Sequence, residues 1–252
     1  KKMEPTLHRF LKHKSIRYSD RECLDLPDQV YHRVELGFPK DNRDFYNDLI
    51  EQIINAKGDY QEIENAFLRM RQICSGFLGH KDEEGEKFEV ELGSNPKVEA
   101  LIELVQEMPV DSKCVVFHDF INSGHIISRE LQKKDIKHER LYSGTKDPSK
   151  AMKNFQQNKS CKVFLVNSQS GSAGLNLQVA NYCVFFESPI SPIVRAQAEK
   201  RVHRTGQKSD RVYYYDLIIK NSVEEKIMGF LADGANMFKA LIEGKENVRD
   251  FF

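Results

Sequence analysis

The stretch Cys161-Lys162-Val163-Phe164-Leu165-Val166 runs into Asn167-Ser168-Gln169-Ser170-Gly171-Ser172-Ala173-Gly174-Leu175-Asn176-Leu177, and together they decide the fold. The first six residues are apolar, β-branched or aromatic but for Lys162 and about one strand long, while the next eleven form a small, polar, glycine-bearing loop. A strand apolar on both faces belongs inside a sheet covered by helices. Three more runs read the same way: Cys114-Val115-Val116-Phe117, Tyr182-Cys183-Val184-Phe185-Phe186 and Val212 to Ile219. Asn122 to Lys134, Pro148 to Gln157 and Pro192 to Arg204 lie between them with helical spacing, the last two opening on a proline that the first helical position tolerates. Glu139-Arg140-Leu141-Tyr142 is a weaker strand before the turn Ser143-Gly144-Thr145, and Ser222 with Glu225 suits a capping box at the start of a final helix. The alternation predicts an α/β fold with a parallel sheet flanked by helices.

Upstream the pattern differs. Lys40 to Leu78 holds no proline and carries Phe45, Leu49 and Ile53, then Ile63, Phe67, Met70 and Ile73, at helical spacing, which predicts two or more helices. Val30 to Leu36 alternates apolar and polar residues, as a half-buried strand does; the sequence allows its partner to lie outside this chain. Lys81 to Glu91 carries six acids and two bases and reads as a solvated loop. Across all 252 residues, 38 Lys and Arg balance 38 Asp and Glu, so a polyanion would have to meet a local basic surface. No apolar run is long enough to span a bilayer and the start lacks a secretory core, which predicts a soluble, intracellular protein without membrane contact. The five cysteines are scattered with no Cys-x-x-Cys, which argues against a disulfide framework or zinc site and predicts reduced, mostly buried thiols.

Ligands of an open parallel sheet bind beyond the carboxyl ends of its strands. There the loop Ser168 to Leu177 can present free N–H groups to phosphate. Further on, Gln197, Arg201 and Arg204 fall four and three apart on one face of the helix from Pro192, and six bases face two acids between Arg195 and Arg211. Guanidinium groups there suit an anion such as a transferring phosphoryl group. The chain contains no G-x-x-x-x-G-K-[ST] and no acidic magnesium-holding run, so it cannot hold ATP and its metal unaided. Taken alone, the loop is equally a ligand-free connection and the basic helix a solvated face.

Together these segments resemble the C-terminal RecA-like lobe of an SNF2-family, superfamily 2 ATP-dependent DNA translocase. Gln197 to Gln207 resembles motif VI, Q-A-x-x-R-x-H-R-x-G-Q, at every fixed position, and Gly171, Gly174, Leu175, Asn176 and Leu177 keep the core of motif V. Val115 to Phe120 is similar to motif IV, Leu141 to Phe155 to the segment after it, Leu68 to Cys74 to an L-R-x-x-C helix, and Leu26-Pro27 to Val34 to the stretch after motif III. The chain departs from the pattern at Ser172, Glu187, Lys200 and Ile190-Ser191-Pro192.

The resemblance implies that a preceding N-terminal RecA-like lobe of the same protein binds ATP and Mg2+. Arg201 and Arg204 would be arginine fingers, with Gln197, Gly174 and Asn176 at the nucleotide. His118, Ser143, Thr145, Ser168 and Gly171 would touch double-stranded DNA, and no residue would hold a metal. It also implies four parts: 1–38 as linker and tail of the preceding lobe, 39–92 as a helical insertion, 93–222 as the RecA-like lobe and 223–252 as bracing helices. Such a fragment should be inactive alone, and its parent cytoplasmic or nuclear. A strand-separating helicase lobe and a non-catalytic nucleic-acid-binding module are the alternatives; no hairpin with an exposed aromatic tip is legible to favour the former.

Overall fold

The computed structural model describes residues 26–38, 40–55, 60–81, 87–168 and 174–234. The sheet has six parallel strands: β1 (Asp28–Leu36), β4 (Cys114–His118), β5 (His138–Leu141), β6 (Val163–Asn167), β7 (Tyr182–Phe185) and β8 (Arg211–Ile219), in the order β1-β8-β7-β4-β6-β5. Seven helices accompany them among the described residues: α1 (Lys40–Asn55), α2 (Tyr60–Cys74), α3 (Pro96–Glu107), α4 (Ile121–Lys133), α5 (Pro148–Gln157), α6 (Pro192–Val202) and α7 (Val223–Ala232). This is the expected RecA-like sheet.

Each apolar run divides its side chains between two cores because successive strand residues point to opposite faces. Cys114 and Val116, with Val163, Leu165 and Val184, pack under α3 and α4 against Leu101, Val105 and Ile127. Val115 and Phe117, with Phe164, Val166, Cys183 and Phe185, pack on the other face against Phe155 of α5 and Ala198 and Val202 of α6. A third cluster joins α1 and α2 to α7 through Tyr46, Leu49, Phe67, Met70, Ile73, Ile219 and Ile227. The four described cysteines, Cys74, Cys114, Cys161 and Cys183, are buried and unbridged, and Cys23 lies outside the described residues.

The structure corrects several expectations. Val30 to Leu36 finds its partner within the chain: β1 pairs in parallel with β8 from Asp28 opposite Arg211 to Leu36 opposite Ile219, which makes it a strand of the sheet and not linker. Lys81 to Glu91 is no simple loop, since β2 (Phe77–Lys81) and β3 (Lys87–Glu91) form an antiparallel hairpin. Glu91 is anchored on α4 by a two-pronged Arg129 contact, with both bonds 2.6 Å long, so part of that acidic run serves as a counterion. In α1 the buried aromatic is Tyr46, whereas Phe45 is 55% exposed. The last helix is capped one position off the expected box: Ser222 Oγ accepts from Glu224 N, and the Glu225 carboxylate accepts from Asn221 N.

Candidate nucleotide-facing cleft

From β4 the chain steps to β5 and β6 on one side, then crosses to β7 and β8 on the other, so the strand order reverses at β4. The carboxyl ends of parallel strands at such a reversal open a crevice. Here it is a cleft of about 560 Å³, walled by Asp119 and Phe120 after β4, Ser168 after β6, Pro189 to Ser191 after β7, and Gln197 and Arg201 of α6. Leu68 and Arg71 of α2 close its side.

Its floor is a buried polar network. The Glu187 carboxylate, 1% exposed, accepts from Asp119 N at 2.9 Å and from Ser123 Oγ at 2.5 Å. Asn167 Nδ2 donates to Asp119 O at 2.9 Å, and Arg71 Nη2 donates to Asp119 Oδ2 at 2.5 Å and to Ser188 O at 3.1 Å. Three strand ends and α2 are thereby tied at one point, which fixes the loops before any ligand arrives. Arg71 was absent from the expected site; its signal was a charged residue within the apolar stripe of Phe67, Met70 and Cys74.

Gln197 is exposed and Arg201 half-buried, both on the cleft wall. Arg204 is exposed but not on the same helical face, because α6 stops at Val202 and Arg204 follows in the next turn. That turn is shaped by Gly206, whose φ of +95° suits glycine, and by Gln207, whose amide donates to Ala180 O at 2.7 Å and accepts from Lys208 N and Ser209 N. Arg195 belongs to the basic cluster only by count: it is buried and paired with Asp216 and Glu199. Gly174 and Asn176 are exposed, and Leu177 N donates to Arg201 O at 3.0 Å, which holds that loop against α6. Ser168, which the resemblance set at DNA, lies instead on the cleft wall, its Oγ buried without a hydrogen-bond partner among the described residues. Gly171 and Ser172 lie outside the described residues.

His118 cannot touch DNA as expected. It is 1% exposed, Nδ1 lies 2.9 Å from Phe120 O, and the ring packs beneath Gly124 of α4. A five-residue central strand whose every position is buried leaves its last side chain inside. Burial holds its pKa below the ordinary imidazole value. The Thr145 hydroxyl is used inside its own turn, accepting from Tyr142 N at 2.9 Å and donating to Arg140 O at 3.2 Å, so Ser143 and Gly144 face outward. Beside them a hollow of about 1120 Å³ is lined by Arg140, Lys146, Lys150 and Lys153 together with Glu139 and Asp147. Nε and Nη2 of Arg140 are buried with no hydrogen-bond partner among the described residues, and burial lowers that guanidinium's pKa.

Among the described residues no group of three His, Cys, Asp or Glu could hold a metal ion, and no helix is long and apolar enough to cross a membrane.

Residues 96–206 match the helicase conserved C-terminal domain. The chain is 33% identical over 133 residues to the ATP-dependent helicase fft1 of Schizosaccharomyces pombe, covering 52% of this chain and 14% of that protein. It is 26% identical over 241 residues to the mouse SWI/SNF-related matrix-associated actin-dependent regulator of chromatin subfamily A member 1, covering 90% of this chain and 23% of that protein. All of this chain superposes on 56% of the Sulfolobus solfataricus SWI2/SNF2 ATPase core solved in complex with dsDNA, with a TM-score of 0.67 and 22% identity. Both relatives are several times longer than the part this chain matches.

Proposed function

Residues 96–206 match the helicase conserved C-terminal domain, and we propose that this chain is the C-terminal half of an SNF2-type, ATP-dependent double-stranded DNA translocase. The observation that carries the proposal is the cleft at the strand reversal. Arg201 and Gln197 wall it, Ser168 contributes an orphan hydroxyl, and Arg204 stands exposed just past the helix end. In this reading an N-terminal RecA-like lobe holds ATP and Mg2+ and docks over the cleft. Bound ATP supplies the phosphoryl group whose charge spreads over its oxygens as it transfers. Arg201 and Arg204 reach that charge as fingers, while Gln197, Gly174 and Asn176 register the nucleotide. Their effect is electrostatic, and it is strongest once lobe closure has expelled water.

Ser143 and Gly144, backed by Arg140 and the neighbouring lysines, grip DNA phosphates, which carry no sequence information. Residues 93–222 with β1 form the lobe, 39–92 the insertion with its hairpin, and 223–252 the brace. The protein works inside the cell, in nucleus or cytoplasm, and this chain alone does not hydrolyse ATP.

One feature favours strand separation instead: Phe88 on the β2–β3 hairpin is 47% exposed. However, the five residues joining those strands, Asp82-Glu83-Glu84-Gly85-Glu86, carry four acids and no base, and would be repelled by the strands they had to part. The deciding experiment is DNA-stimulated ATPase of the full-length protein with Arg204→Ala. Nucleotide binding should persist while turnover falls by about a thousandfold, and unchanged turnover refutes the finger role. A strand-displacement assay on the same protein separates translocation from unwinding.

A further inference from the structure

Glu199 stands two residues before Arg201, on the side of α6 that meets β1 and β8, and is held by Arg195 of its own helix and by a tyrosine from each of those strands. Its Oε1 accepts from Arg195 Nε at 2.6 Å, its Oε2 accepts from the Tyr31 hydroxyl at 3.0 Å, and its backbone oxygen accepts from the Tyr214 hydroxyl at 3.2 Å. Arg195 is locked in turn: both its terminal nitrogens donate to Asp216 of β8, Nη1 also donates to Ser188 Oγ at 3.1 Å, and its guanidinium lies 3.5 Å from the Phe185 ring centre.

Tyr31 belongs to β1, at the sheet edge. Its ring stacks on Tyr214 at 4.9 Å between centroids, and its hydroxyl accepts from Gln29 Nε2 at 3.1 Å. Partial burial of the ring and the Glu199 carboxylate raise its phenol pKa, so the hydroxyl stays protonated and donates to Glu199. A second tie joins the same two regions, since His203 Nε2 lies 2.8 Å from Pro27 O, just ahead of β1. The edge strand is therefore fastened to α6 on both sides of Arg201.

We infer that Tyr31 is a positioning residue, holding α6 through Glu199 so that Arg201 and Arg204 are presented at the height the opposite lobe requires. The inference rests on the finger reading. It adds that β1, the strand nearest in sequence to the proposed preceding lobe, sets the arginines and not merely the sheet edge. A helix end displaced by about 1 Å can cost as much as a hundredfold in rate while ground-state binding is barely touched.

The test uses the full-length protein and Tyr31→Phe, which keeps the stacked ring and deletes only the hydroxyl. We expect kcat of the DNA-stimulated ATPase to fall roughly tenfold. KM for ATP and affinity for DNA should stay within about twofold and the melting temperature within about 2 °C, because an exposed hydroxyl adds little to stability. Glu199→Gln should lower kcat similarly, and the double variant should lose no more than either single one, as expected for residues acting as a unit. Wild-type kcat in Tyr31→Phe, with Arg204→Ala inactive, overturns the positioning role and leaves the fingers standing. A loss that appears in KM or in melting temperature and not in kcat also overturns it. If Arg201→Ala, Arg204→Ala and Tyr31→Phe all turn over normally, it is the function reading that fails.

Discussion

Replacing Lys97 with Met should unhinge the C-terminal helix from the sheet. Lys97 opens α3 with its side chain 0% exposed, donating to Phe186 O at 2.8 Å and forming a very short contact with Glu224 of α7. Glu224 is itself 7% exposed, and its second oxygen accepts from Ile219 N at 2.9 Å. Burial already raises the Glu224 pKa, with Lys97 pulling the other way, so losing the amine leaves a carboxylate in apolar surroundings with one remaining partner. Removing one member of a buried ion pair costs about 3–5 kcal/mol. With a urea m-value near 2–3 kcal/mol/M, that lowers the unfolding midpoint by about 1–2.5 M. Equilibrium urea unfolding followed by circular dichroism measures it. Lys97→Met paired with Glu224→Leu should cost at least ~1 kcal/mol less than the sum of the singles, because the double variant buries no lone charge. A shift below about 0.3 M for Lys97→Met, or simple additivity, would refute the view that this pair fastens α7 to the lobe.

Two further outcomes bear on the site. Gly124→Ala adds a Cβ 2.6 Å from Cε1 of the His118 ring, which is buried and held by Phe120 O. Despite the better helix propensity of alanine, net destabilisation of about 1–3 kcal/mol should appear in a thermal melt, and a stabilised variant would show the ring to be free to move. The imidazoles of His118, His125 and His138 all titrate below the ordinary value of 6.5, each chiefly through burial. A depressed folded-state pKa favours the neutral native form, so its contribution is fully present above the unfolded value of 6.5 and is lost as pH falls from there through the lower folded-state pKa. Thermal stability should thus decline from about pH 7.5 to about pH 5.5, and His118→Asn should flatten the decline; an equal slope in the variant removes His118 from the account.

Much was legible in the chain because two signals are local. The apolar runs at Cys114, Val163, Tyr182 and Val212, interspersed with helical stretches at Asn122, Pro148 and Pro192, point to a covered parallel sheet, since strands apolar on both faces are typical of one. The Gln197 to Gln207 motif likewise singled out Gln197 and Arg201, which line the cleft at the strand ends. Decisions that depend on through-space neighbours were not legible. The resemblance set His118 beside DNA, but only the packing of α4 shows the ring covered, and only the Asp216 partner shows that Arg195 is an internal cation. The acidic run from Lys81 hid a hairpin because its pairing and its Arg129 anchor are cross-strand and long-range. By itself the sequence determined the layers and the residues able to meet an anion. Tertiary structure alone decided which charges remain at the cleft, for a guanidinium's role depends on whether a carboxylate from a distant strand reaches it first.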